Sequence, residues 1–95
     1  MSEILFEHDE TVEDFYQRIR ILKVEDKNYP DGVKYSLVLI QISTGKRLLC
    51  YDNHHGKGHH YHKYEREFSY RFIDIWILID DFMNEVQKIK QRYLK

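Results

Sequence analysis

The chain has one cysteine, one proline and one tryptophan in 95 residues, and no excess of charge of either sign. The lone Cys50 excludes an internal disulfide and a four-cysteine zinc site. Fifteen Lys and Arg nearly balance sixteen Asp and Glu, a formal net charge of −1, so no global field draws in nucleic acid. Any RNA contact has to be local, beside Lys57 and the histidines or in the basic run "KIKQRYLK". No apolar stretch is long and uncharged enough to span a bilayer. The best candidate, "FIDIWILIDDFM", is broken by Asp74, Asp80 and Asp81. The N-terminus lacks a basic segment followed by an apolar core, so no signal peptide is expected. These absences together point to the cytoplasm, with no membrane partner.

What is present is a foldable pattern. Apolar residues make up 42% of the chain and fall in periodic runs, which argues for a packed globule over disorder. The length suits one domain, residues 1–95, with a modest core. The acidic N-terminal stretch carries weak helical potential around residues 11–15. "YQRIRILKV" alternates Ile19 and Ile21 against Arg18 and Arg20, a half-exposed strand. "NYPDG" supplies turn-forming residues, and "VKYSLVLIQIS", apolar on both parities, reads as a central strand covered on two sides. After the short turn "TGK" comes the strand "RLLCYD", and later "REFSYRF" alternates Phe68, Tyr70 and Phe72.

A helix follows, with Asp74 as its N-cap and a stripe of Ile75, Ile79, Phe82, Val86, Ile89 and Tyr93. Lys88, Lys90, Arg92 and Lys95 suit the negative end of its dipole. The expected fold is α+β: an antiparallel meander of about four strands, with the C-terminal helix packed on one face. The other face needs the N-terminal segment or a partner to cover it, which suits a homodimer.

Between two of these strands lies "YDNHHGKGHHYH", residues 51–62, with five of the six histidines. Gly56 and Gly58 permit positive φ and close backbone approach, and Lys57 between them is a point charge suited to phosphate. If His60 and His62 enter the next strand, their i, i+2 spacing puts both imidazoles on one face, with His59 and Tyr61 on the other. Asp52 could orient an imidazole through its Nδ1–H. Three readings stand. In one, two histidines act as base and acid on RNA, with Lys57 and loop amides stabilising the phosphate. In the second, His60 and His62 with His55 or Asp52 ligate a divalent ion, although H-x-H lacks specific spacing. In the third, the run is a solvated hairpin tip. His54 and His59 each have a histidine neighbour able to do the work, His8 stands alone, and Cys50 reads as a small apolar strand residue.

Three stretches, "YPDGVKYSLVLI", "YDNHHGKGHHYH" and "YRFIDIWILIDDFMNEV", resemble the TumE-type toxin family of prokaryotic toxin–antitoxin systems. The resemblance covers about residues 18–86. Its middle signature, Y-D-N-x-H-G-x-G-x-H-x-H, stands intact at Tyr51, Asp52, Asn53, His55, Gly56, Gly58, His60 and His62. His54, Lys57 and His59 occupy its variable positions. The resemblance implies a small cytoplasmic toxin, partnered by a helix-turn-helix antitoxin that binds it and represses the operon.

Joined to the histidine chemistry, it leads to an expected metal-independent endoribonuclease acting on an RNA substrate, with no cofactor. His60 and His62 are the expected acid–base pair, with His55 in reserve and Asp52 orienting an imidazole. Tyr51, Asn53, Lys57, Gly56 and Gly58 are the expected substrate contacts. The alternatives are a non-enzymatic toxin or interaction module that binds an antitoxin or translation partner, and a divalent-metal nuclease.

Overall fold

The computed structural model describes residues 3–53 and 58–93. Six strands form one antiparallel sheet in sequential order: β1 (Glu3–Val12), β2 (Phe15–Lys23), β3 (Val33–Gln41), β4 (Lys46–Asp52), β5 (His60–Lys63) and β6 (Arg66–Ser69). One helix follows, α1 (Ile75–Tyr93). The α+β meander with a C-terminal helix is as expected, but with six strands where about four were read.

Two strands went unread for different reasons. The acidic N-terminal segment is the edge strand β1, not a weak helix. Its Ile4, Phe6, Thr11 and Val12 favour extended backbone, and β2 supplies the ladder. Glu7 and Asp9 then face Arg20 and Arg18, and Glu7 holds Arg20 at 3.3 Å. Opposite charges facing across strands stabilise by a few tenths of a kcal/mol to about 1 kcal/mol. The second is β5, the first arm of the β5–β6 hairpin, whose other arm falls within the strand pattern "REFSYRF". Its turn, Tyr64 and Glu65, contains no Gly, Pro, Asn or Asp to mark it, and Tyr64 takes φ 57°. The sheet pairing of this stretch ends at Ser69, so Tyr70 and Phe72 lie on a connecting segment rather than a strand.

The core lies between α1 and one sheet face. Ile19 and Ile21 of β2, Leu37 and Leu39 of β3, and Leu49 and Tyr51 of β4 meet Leu78, Phe82, Val86 and Ile89 of α1. Leu78 is therefore the fully buried residue of the first turns; Ile75 and Ile79 are half-buried and Tyr93 is exposed. Asp74 caps the helix as its position suggested, its Oδ1 accepting the Trp76 and Ile77 N–H groups at 2.9 Å each. Lys63 of β5 reaches Glu85 of α1 at 2.9 Å, fastening the short hairpin to the helix. No described element packs on the other sheet face. The N-terminal segment widens the sheet instead of covering it.

Candidate active site on the open sheet face

β4 and β5 pair in register, with Asp52 opposite His60, Tyr51 opposite Tyr61 and Cys50 opposite His62. Side chains alternate along each strand, so this register sorts the signature residues onto two faces. Tyr51 and Tyr61 go toward α1 and stack at 4.7 Å, with Tyr51 also edge-on to Tyr70 and Phe82. Burial raises the Tyr51 hydroxyl well above its ordinary range, with Glu85 adding to the shift. Tyr51 is part of the core. Asp52, His60 and His62 go to the open face.

There His60 Nε2 lies 2.9 Å from Asp52 Oδ1, and its Nδ1 lies 3.2 Å from the Gly58 carbonyl. Asp52 thus holds His60 by Nε2, whereas the sequence reading placed the carboxylate on Nδ1. The reason is register. Asp52 stands directly opposite His60 on the neighbouring strand, so it meets the far nitrogen of a ring extended across the sheet. Both ring nitrogens therefore face oxygen atoms. The His62 ring lies 5.2 Å from that of His60, edge to face, and its Nε2 is 3.7 Å from Glu67 on β6. That separation is an ion-pair distance rather than a hydrogen bond.

Cys50 sits behind this pair, its Sγ 3.5 Å from Asp52 Oδ2. Burial, then the charge of Asp52, pushes its thiol up to about 11, so it stays protonated at neutral pH and is a poor nucleophile.

Asn53 does not project onto this face. It is buried, its Oδ1 accepting the Tyr35 N–H at 3.0 Å and its Nδ2 donating to the Val33 carbonyl at 2.7 Å. Backbone pairing of β3 with β4 stops at Ser36 and Asp52, and the Asn53 amide continues it by one further step. Asn53 therefore fixes the end of β4 on which Asp52 stands.

His59 also has defined work. Its ring stacks on Phe72 at 4.8 Å, its Nδ1 is 2.8 Å from the Tyr35 hydroxyl, and its Nε2 is 2.6 Å from Asp31. Tyr35 O–H donating to Nδ1 and Nε2–H donating to Asp31 satisfies every member with a neutral ring. Burial first, then the charges of Asp52 and Asp31, raises the Tyr35 hydroxyl well above its ordinary range. The network clamps the β2–β3 turn against the connection to α1. Asp31 and Tyr35 both lie in "YPDGVKY", but only the tertiary fold brings them to His59.

Gly58 takes φ 71°, as its position in the loop suggested. His55, Gly56 and Lys57, with His54, lie outside the described residues. Among the described residues no three His, Cys, Asp or Glu side chains are grouped to hold a metal ion. A pocket of about 370 Å³ opens beside the pair, lined by His59, His60, Glu67, Phe68 and Ser69. Glu67 and this pocket were invisible in sequence, because the unmarked turn at Tyr64 and Glu65 hid the β5–β6 register.

Fold and site define a class: a small α+β protein with two adjacent imidazoles, His60 buried and His62 half-buried, and a half-buried carboxylate on the sheet face away from the helix. The family model described as Toxin TumE matches residues 3–91. The chain belongs to the TumE toxin family, extending the resemblance seen over residues 18–86 to nearly its whole length. Membership assigns it as the toxin of a toxin–antitoxin system and implies an antitoxin partner. No curated protein and no solved structure matches the chain. Among the described residues no helix is long and apolar enough to cross a membrane.

Proposed function

We propose that this toxin, acting in the cytoplasm as one domain over residues 1–95, is a metal-independent endoribonuclease. The observation that carries the reading is the placement of His60 and His62 side by side on the open face, with Asp52 on His60 Nε2. A neutral imidazole takes the proton from a ribose 2′-OH, and the 2′-oxygen attacks the adjacent phosphorus. The bond from phosphorus to the 5′-oxygen breaks, and the other imidazole, protonated, gives its proton to that oxygen. The products are a 2′,3′-cyclic phosphate and a 5′-hydroxyl, with the two histidines' protonation states exchanged. Histidine suits both roles near neutral pH.

Asp52 occupies Nε2, so Nδ1 is the nitrogen through which His60 exchanges a proton, substrate displacing the weaker contact to the Gly58 carbonyl. Glu67, 3.7 Å from His62 Nε2, stands beside the second imidazole. His55 is proposed as the reserve member of the pair and Gly56 and Lys57 as further substrate contacts, on the strength of the sequence signature alone. A helix-turn-helix antitoxin is the proposed partner that silences the toxin, and the uncovered face would also admit a second copy.

The test is growth inhibition. His60→Ala or His62→Ala, expressed and folded normally, should abolish it, and undiminished inhibition by both variants would overturn the reading. A second reading, a non-enzymatic binding toxin, is favoured by one observation. Ile73, Trp76 and Ile77 are exposed around the start of α1, with Trp76 at 61%. A binder acts stoichiometrically, whereas an enzyme destroys many RNA molecules per toxin.

A further inference from the structure

The open face carries more than the histidine pair. Glu7, Arg20, Ser36, Asp52, His60 and Ser69 stand in one register row across all six strands. The next row along holds Asp9, Arg18, Val38, Cys50, His62 and Glu67. The histidines therefore stand on β5 of a lane that carries an arginine in both rows on β2, just inside the carboxylates of the edge strand. Beyond Ser36, a pocket of about 310 Å³ is lined by Arg20, Leu22, Lys34, Tyr35 and Ser36. Glu7 lies 3.3 Å from the Nε edge of Arg20. The Lys34 ammonium lies 5.9 Å from the Tyr29 ring centroid, over its face. Two cations and a hydroxyl around one open pocket are the chemistry of a phosphate oxyanion site.

We propose that Arg20, Lys34 and Ser36 form a phosphate subsite for single-stranded RNA, the strand crossing the sheet toward His60 and His62. The proposal rests on the ribonuclease reading above. Three strand spacings of about 4.8 Å separate Arg20 from His60, and a nucleotide strand covers that span in no more than about four residues at its stacked rise of about 3.4 Å. A duplex is the poorer fit. In-line attack by a 2′-oxygen needs a backbone released from A-form stacking, and single strands are where proteins splay RNA out. The carboxylates of the two rows, Glu7, Asp9, Asp52 and Glu67, keep phosphate contacts few and leave the pocket at Arg20, Lys34 and Ser36 as the place for them. Glu7 competes with phosphate for Arg20, so its removal strengthens the subsite.

The probe is a fluorescent single-stranded oligonucleotide with every ribose 2′-O-methylated, which lacks the nucleophile and cannot be cleaved. Binding by anisotropy is compared for wild type, Arg20→Gln/Lys34→Gln and Glu7→Gln, each checked for native circular dichroism. The double variant should bind at least tenfold more weakly. Its slope of log K against log salt should be shallower by about 1.4, the loss of two phosphate contacts. Glu7→Gln should bind more tightly. With cleavable RNA, the double variant should raise KM and keep kcat.

A folded double variant with unchanged affinity and slope overturns the subsite, and the ribonuclease reading stands if wild type still cleaves. Binding that depends on Arg20 and Lys34 without any cleavage overturns the ribonuclease reading and keeps the subsite. Should Arg20→Gln/Lys34→Gln fail to fold, Glu7→Gln carries the test, and unchanged or weaker binding there overturns the proposal.

Discussion

Asp52 and His60 face each other on paired strands, so the backbone ladder sets their 2.9 Å contact and little side-chain ordering remains to oppose it. Asn53 extends that ladder through its buried amide, so the carboxylate stands on a fixed platform. Cys50, beside Asp52, is a poor nucleophile. Its thiol, pushed up to about 11, is protonated throughout the neutral range. Native protein at pH 7.5 should therefore leave Cys50 unalkylated by iodoacetamide while the urea-unfolded chain reacts, as read by mass spectrometry. Cys50→Ala should keep cleavage within a few-fold of wild type. Rapid alkylation of the native chain would contradict the burial, and lost activity with an intact fold would give the thiol a role.

At this scale the sequence was informative about shared faces and poor about partners. The i, i+2 spacing placed His60 and His62 together, and the burial of Cys50 followed from its apolar neighbours. Spacing could not show that Asn53 and Tyr51 turn inward, because that depends on which neighbours pack against each face.

The strands differ in how plainly they announce themselves. β2 and β3 alternate or run apolar, and Asp74 marks the helix start with the residue type that caps it. β1 is acidic and borrows its order from the arginines of β2, a pairing no local pattern reveals. The β5–β6 turn bends at Tyr64 with φ 57°, where glycine or asparagine would be the usual choice. The element boundary is set there by docking rather than by turn chemistry, since Lys63 binds Glu85 and the Tyr61 ring stacks on Tyr51.

One position within β2 runs against its surroundings. Gln17 is 2% exposed and faces α1, its Nε2 donating only to the Met83 sulfur at 3.5 Å. Its Oε1 has no partner among the described residues. A buried acceptor left unsatisfied costs about 1–3 kcal/mol. Gln17→Met, close in volume, should therefore raise the unfolding free energy by about 1 kcal/mol or more with an unchanged m-value. A loss of stability in urea titration would show that the amide is satisfied in a way the core packing does not reveal.

Taken whole, the molecule is a sheet with one face packed under α1 and the other covered by no described element, and the Lys63–Glu85 joint fastens the hairpin to the helix. That joint depends on pH. Burial works against the Glu85 carboxylate, but Lys63 and Lys88 outweigh it and hold the group below its ordinary range. A carboxyl group lowered on folding contributes stability that is fully present above its unfolded value of about 4.3 and is lost as pH falls through the folded value. Unfolding free energy should accordingly decline below about pH 4.3 more steeply in wild type than in Glu85→Gln, by denaturant titration. Parallel profiles would remove Glu85 from the joint.

The central claim concerns the other face, that two histidines on it cleave RNA without a metal ion. The most direct measurement incubates purified protein with a structured RNA in excess EDTA, beside the His60→Ala/His62→Ala double variant, and analyses the fragment ends. Cleavage by wild type alone, leaving 2′,3′-cyclic phosphate and 5′-hydroxyl ends, is the predicted result. Cleavage that appears only when a divalent ion is restored, or equal cleavage by the double variant, would contradict it.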